Sequence, residues 1–394
     1  MIKKSRAFAV GFLFLCRIIS CAQEPNTVVA TIPVGDTPSG IAVTPNSLFA
    51  YVANNNNAQI PGGDTVSVLN LTNNTLEQTI SDSSFNEPYT VTINAAGTKA
   101  YVTNSNSTTV TIIDLATNTV TGTIGGFDGP SGLIATLNGN YAYVNNYGSF
   151  PGVGSGNGTT VSVVDLNTNA IVGSPITVGL APAAMAITPD GAYVYVVSYV
   201  DGNPGTGTIS IINTSNNSVQ LNAITGFSGP FAIAITPNGK YAYVTNFGNN
   251  NFSPVGTTVS IVDISRNTIV ATLNLGIQPA GVAITPDGSY AYVSNYNTLY
   301  DGSGFTDLTA GQGTVNIIDI QTNKVVSPII GVGLSPADIA ISPNGNFVYV
   351  TNYTSNTVSV IAPASGLYNI NRLSPYYNQQ LDETLKKLTE AGLL

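Results

Sequence analysis

The chain has 394 residues, with 20 acids against 11 bases, a formal net charge of −9, no His, no Trp and two Cys. Without His there is no His-ligated metal, no imidazole base and no Ser-His-Asp triad, and two Cys build neither a thiolate zinc site nor a disulfide scaffold. The acidic balance argues against nucleic acid as a partner, because neutralising phosphates needs clustered Lys and Arg.

Lys3, Lys4 and Arg6 form a basic n-region, and Ala7 to Cys16 are ten uncharged residues. That is the length of a signal h-region and too short to span a bilayer. Residues 1–20 are therefore read as a signal segment. Ile18-Ile19-Ser20-Cys21 resembles a bacterial lipobox, which implies diacylation of the Cys21 thiol and cleavage before it. Ordinary secretion with cleavage after Ala22 is the competing reading, and an uncleaved anchor is a third. All place the body outside the cytoplasm. The expectation is a membrane-anchored lipoprotein at the outer membrane or cell surface, with a secreted or periplasmic protein as the alternative. Loss of the leader leaves seven bases against twenty acids.

The body is one motif written seven times. A Pro precedes a short aliphatic run at residues 38, 88, 130, 182, 230, 279 and 336, and a Tyr-Val pair follows each Pro thirteen residues later. Between them sit turn formers such as Thr-Pro-Asp-Gly at 188–191 and 285–288. Pro followed by Asp/Asn-Gly between β-branched runs signals a hairpin, because Gly and Asn tolerate positive φ. A third run follows, as in Val259–Asp263, and after an Asn-Thr or Thr-Asn turn a fourth, as in Thr268–Thr272. Four short strands in a repeat of 42 to 57 residues predict propeller blades.

Tyr-Val-Thr-Asn at 101–104, 243–246 and 349–352, with Tyr-Val-Ser-Asn at 292–295 and Asn-Thr-Val-Val-Ala-Thr-Ile-Pro-Val-Gly at 26–35, resemble the YVTN-type β-propeller repeat family of bacterial extracytoplasmic and archaeal surface-layer proteins. Ala53 in the first repeat and Val197-Ser198 in the fourth depart from the motif. The resemblance implies an all-β, seven-bladed propeller over residues 26–362. There are seven inner strands, but only six repeats supply their own fourth strand. The missing one lies at Asn26–Val34, so the N-terminal strand should complete the blade of residues 335–362 and close the ring.

The connection from the second strand to the third varies from blade to blade, while the other turns barely change. All seven variable loops must emerge on one face, the expected binding face. An aromatic follows the second strand in five repeats: Tyr147, Tyr199, Phe247, Tyr296 and Tyr353. These rings either stack a ligand or cap the cores between blades. At the position after the Pro, Tyr89 and Phe231 replace Ser or Ala, and Asp338 breaks a run of Gly, Ala and Thr two residues after the Pro, as Ile134 does four residues after it. Tyr89, Phe231 and Asp338 should lie near the axial mouth, contacting ligand or plugging the channel. Asp114, Asp165, Asp263 and Asp319 recur at the end of the third strand as turn-fixing residues. Asp201 with Asn203, and Asp301 with Ser303 and Asp307, match no complete Ca²⁺ loop and are read as solvated.

Residues 363–394 form a tail in which Pro375 opens an amphipathic helix carrying Leu381, Leu385 and Leu388. It either docks on the propeller or binds a partner helix. Two functions remain. The first is a non-enzymatic binding or scaffold protein of the cell envelope, holding a glycan, peptide or protein on its variable face and reaching the membrane through its lipid anchor. The alternative is a propeller enzyme of lactonase-like or quinone-dependent dehydrogenase type. An enzyme needs acid/base or metal residues converging on the axis, and the inner strands offer only Asp338. The expectation is therefore the binder, with no catalytic residue, no metal and no cofactor.

Overall fold

The computed structural model describes residues 26–56, 63–148, 157–200, 204–248, 255–297, 299–300, 305–306 and 312–363. The signal segment with Cys21, the aspartates at 201, 301 and 307 and the predicted tail helix lie outside the described residues. Asn26–Ala362 forms a compact unit of seven four-stranded antiparallel sheets.

Each sheet is a blade with its Pro-started strand at the axis. Blade one, for example, runs Pro38–Val43, Phe49–Asn54, Thr65–Asn70 and Thr75–Ser81, in spatial order. Blade seven contributes Pro336–Ile341, Val348–Asn352 and Thr357–Ala362, and its fourth strand is Thr27–Pro33. That strand pairs antiparallel with Thr357–Ala362, from Thr27 opposite Ala362 to Pro33 opposite Thr357. The ring closes as the strand count predicts. A two-stranded ribbon, Leu299–Tyr300 with Phe305–Thr306, adds to the long loop of blade six.

The apolar side chains form seven clusters, each shared by two neighbouring blades. The closing strand takes part: Ile32, 1% exposed, packs with Val358, Val360 and Ile41 where blade seven meets blade one. Ile134, singled out by sequence beside the axial deviants, packs instead in the cluster between blades three and four.

The Tyr-Val-Thr-Asn motif is a set of fasteners, one residue to each neighbour. The Tyr ring is buried in the joint, and its hydroxyl donates to the amide oxygen of an Asn in the next blade's outer turn. Tyr143 reaches Asn217, Tyr195 reaches Asn267 and Tyr243 reaches Asn323, each at 2.7 Å. Those Asn have φ of 51–58°, a left-handed conformation that Asn tolerates better than most residues. In blade seven the third strand ends at Ala362 and the fourth is Thr27–Pro33, so no such turn joins them. Asn26, φ 60°, takes its place and accepts from Tyr292 at 3.0 Å.

The Thr hydroxyl accepts the inner-strand amide of its own blade and donates to the inner-strand carbonyl of the next. Thr245 takes Ala232 N at 2.9 Å and gives to Ala280 O at 2.7 Å, and Thr351 takes Asp338 N at 2.9 Å and gives to Ser39 O at 2.7 Å. Where Ala53 removes this hydroxyl, Ser39 donates to Tyr89 O at 2.8 Å instead. The Asn amide ties the second strand to the third: Asn246 donates to Thr258 and Ser260, and Asn352 to Thr357 and Ser359, at 2.9–3.0 Å.

Candidate functional site

Two kinds of connection divide the faces of the ring. The lower face carries the tight turns. Gly97, Gly139, Gly191, Gly239, Gly288 and Gly345 hold φ of 65–74° between the first and second strands, and Ser47 takes the position in blade one. Asp114, Asp165, Asp263 and Asp319 accept backbone amides of the outer turns there, as in Thr117 N to Asp114 at 3.0 Å and Thr322 N to Asp319 at 2.8 Å. These bonds hold the Asp114 carboxyl below its ordinary range.

The upper face carries the loops into the inner strands. The residue before each inner-strand Pro has φ of 48–55° in all seven blades, although five of these are not Gly: Thr37, Glu87, Ala181, Gln278 and Ser335. This conformation costs of order 1 kcal/mol per non-Gly residue and recurs because it turns the carbonyl toward the second strand. There it accepts the amide of the residue after the strand's Asn: Phe247 N to Gly229 O at 2.9 Å, Tyr296 N to Gln278 O at 2.9 Å and Tyr353 N to Ser335 O at 3.0 Å. The bond pins the aromatic residue at the axial end of its blade.

An axial cavity of about 400 Å³ lies inside this rim. It brings together six of the sequence candidates: Tyr89, Phe231, Asp338, Phe247, Tyr296 and Tyr353. The rings form a chain, with Phe231–Phe247, Phe247–Tyr296 and Tyr296–Tyr353 centroids 5.2, 5.9 and 6.1 Å apart. Tyr147 and Tyr199 do not line it. The Tyr199 hydroxyl donates to Gly248 O instead. Met185 and Gln278 line the cavity and were missed. The signal for Met185 was its place on an inner strand as the only Met after the initiator. Gln278 gave no signal, since the residue before the Pro differs in nearly every repeat.

Among the described residues Asp338 is the only acid in the cavity wall. The second residue after each Pro points at the neighbouring inner strand: a Cβ on Gly40 would lie 2.6 Å from Tyr89 O, and one on Gly281 3.0 Å from the Asp338 Cα. At that position Asp338 reaches from blade seven to blade one. Its Oδ2 accepts Ile41 N at 3.1 Å and its Oδ1 accepts Ile339 N at 2.8 Å. Burial raises its pKa to about 6, against the opposing effect of these two amides. Burial also raises the Tyr89 phenol far above its ordinary value, with further upward pushes from Tyr147, Asp338 and Tyr353. Burial, Tyr353 and Tyr89 do the same to Tyr296. Both phenols stay protonated at physiological pH and remain hydrogen-bond donors.

A larger groove, about 470 Å³, lies on the lower face between blades three and four. Its one ionisable carboxyl, Asp190, is taken up by Thr188 and the Ala192 amide. The axial cavity is therefore the candidate site. Among the described residues no group of three or more Cys, Asp or Glu is placed to hold a metal ion.

A family model described as "Lactonase, 7-bladed beta-propeller" matches residues 205–373, a stretch that contains Phe231, Phe247, Gln278, Tyr296, Asp338 and Tyr353. Two proteins of Mycobacterium tuberculosis are similar over shorter stretches. The seven-bladed beta-propeller protein Rv1057 is 28% identical over 160 residues, 40% of this chain and 37% of that protein. The PE-PGRS family protein PE_PGRS18 is 53% identical over 55 residues, 14% of this chain and 12% of that protein. The chain thus spans well under two thirds of either relative. Among solved structures, Kuenenia stuttgartiensis hydrazine synthase superposes with a TM-score of 0.68 at 21% identity, covering 87% of this chain and 99% of that one, a likeness of fold.

The match to a lactonase model corrects the expectation of a non-enzymatic binding or scaffold protein and turns the reading to the enzyme alternative. The physical reason is that lack of His removes one kind of base only. A buried carboxyl with a raised pKa is another. Fold, repeat count and comparisons together make the chain a seven-bladed β-propeller.

Proposed function

We propose that the protein is a propeller hydrolase that opens a cyclic ester in the axial cavity. The observation that carries this reading is Asp338, an acid with a pKa near 6 in the cavity wall, within the stretch that the lactonase model matches. Above that pH the carboxylate takes a proton from a water molecule, and the resulting hydroxide attacks the lactone carbonyl carbon. The neutral phenols of Tyr89 and Tyr296 are the donors available for the oxyanion that develops. Collapse breaks the ring C–O bond, and Asp338 returns its proton to the leaving oxygen. The two amides on its carboxylate hold it in one rotamer throughout. The test is proton release from simple lactones in a pH-stat. Wild type should turn over with a rate that rises through pH 6, and Asp338→Asn should lose that activity. Equal rates for the two proteins would overturn the reading.

The Tyr-Val-Thr-Asn repeats support the finer assignment to the YVTN-type propellers, and Ile18–Cys21 with the basic n-region supports an extracytoplasmic lipoprotein. Acyl labelling lost in Cys21→Ser is the expected result for that anchor; equal labelling would refute it.

A further inference from the structure

Positive charge on the propeller is confined to one face. Between residues 26 and 363 the sequence holds four bases, Lys99, Lys240, Arg266 and Lys324. Lys99 opens a second strand opposite Asp114, Lys240 follows a Pro-Asn-Gly turn, Arg266 pairs with Asp263 at 2.8 Å, and Lys324 opens an outer strand opposite Asp319. All four are lower-face positions. The upper loops hold no base, and they carry Asp36, Asp64, Asp82, Glu87 and Asp128. Of these, Glu87 acts on the cavity wall: burial raises the Tyr353 phenol, and the Glu87 charge raises it further. Burial, and then the Asp64 charge, raise Glu87, so two acids of like charge stand together on this side of the rim.

We infer that the axial site takes uncharged lactones, rejects lactones bearing a phosphate or carboxylate group, and expels its own product. The inference rests on the hydrolase reading above. Recognition of a phosphate or carboxylate calls above all for Arg or Lys, and among the described residues the cavity wall has neither. Its walls are instead Phe231, Phe247, Tyr296, Met185, Leu133 and Val282, which suit an apolar ring substituent. A rim of one sign changes the arrival rate of charged ligands by about 10-fold or more at low ionic strength, and here the sign opposes anions. Ring opening adds water across the ester C–O bond and yields a hydroxy acid, which ionises. A neutral molecule enters and an anion leaves, so the same rim that admits the substrate drives off the product.

The test uses the full chain with δ-decalactone and with the same lactone carrying a terminal carboxylate, at low and high salt. The neutral lactone should have the higher kcat/KM by about 100-fold at low salt, and the gap should shrink by about 10-fold once salt screens the rim. Inhibition by the hydroxy acid should strengthen as salt rises. Glu87→Gln combined with Asp64→Asn should raise kcat/KM for the anionic lactone several-fold and leave the neutral one unchanged. Equal rates for the two lactones, or a preference for the anionic one, would overturn the inference. Binding of the two matching δ-lactams, which resist hydrolysis, separates the failures. The chain has 20 Tyr and no Trp, so tyrosine fluorescence reports it. Selective binding of the neutral lactam without turnover of any lactone would sink the hydrolase and keep the charge selection. Binding of the carboxylated lactam as tightly as the neutral one, or of neither, would sink the inference whatever the rates.

Discussion

On the lower face the blades repeat the same two turns, with Gly, Asn or, once, Ser at positive φ and an Asp or Asn collecting turn amides; blade seven alone lacks the outer turn. On the upper face the loops differ in length and content, and the axial positions hold Tyr89 in one blade, Phe231 in another and Asp338 in a third. Repetition marks where the fold imposes a residue: each lower-face turn meets the same neighbours. Departure marks where the fold is indifferent, since the position after the Pro accepts Ser, Ala, Tyr or Phe. Stability should therefore reside in the repeated residues and activity in the departures.

The sharpest way to break that division is at the closing strand, which belongs to the repeated part. Deleting residues 22–34 removes the ladder to Thr357–Ala362 and the buried Ile32. The loss should be about 5 kcal/mol or more, at about 25 cal/mol per Å² of apolar area and about 1 kcal/mol per hydrogen bond. A deletion variant that melts with wild type would refute closure as a source of stability.

Asp338→Asn probes the other side. The rate of lactone opening should fall by about 10³-fold, within the range for loss of a general base, and the rise through pH 6 should vanish. Stability should move the opposite way. The folded-state pKa, about 6, lies above the roughly 3.9 of an unfolded Asp, so ionisation opposes folding. That cost is absent below about pH 4, grows between 4 and 6 and is constant above, reaching up to about 3 kcal/mol. Denaturant midpoints at pH 4 and pH 7 should thus converge more in the Asn variant than in wild type. A variant less stable than wild type at pH 7 would mean that the amides on Oδ1 and Oδ2 outweigh the cost of burying charge.

Thr351→Val tests the axial fastener beside Asp338. It removes the bonds to Asp338 N and Ser39 O and should cost about 1–2 kcal/mol of stability. Because it frees the Asp338 backbone, the hydrolysis rate should also drop a few-fold, and a rate unchanged would show that the two amides suffice. Tyr243→Phe carries the smallest expected effect, about 1 kcal/mol from the bond to Asn323, with no change in rate. A changed rate would show that the faces are coupled.

The blade count, the strand order and the closing strand were legible because each rests on spacing and turn chemistry that act locally and repeat seven times. The gathering of Tyr89, Phe231, Phe247, Tyr296, Tyr353 and Asp338 was legible in part, as departures from the repeat. Tyr147 and Tyr199 occupy the same repeat position as Tyr296, yet do not reach the cavity wall. Position in a repeat says which way a backbone runs, and the neighbouring blade decides where a long side chain ends. Asn145 stands where three other blades have Thr and passed unnoticed among the departures. Its amide has no partner, and the joint beside it is held instead by Ser131 donating to Pro182 O at 3.2 Å.

The sequence by itself determined a seven-fold array of four-stranded blades, because the periods of Pro, Tyr-Val and Asn-Gly reflect backbone geometry within each repeat. Only the tertiary structure decided that an aspartate two residues after a proline becomes an acid with a pKa near 6. That shift comes from burial where blades seven and one meet, between residues almost 300 positions apart in the chain. Desolvation depends on what surrounds a group in space, and no stretch of sequence around Asp338 contains that information.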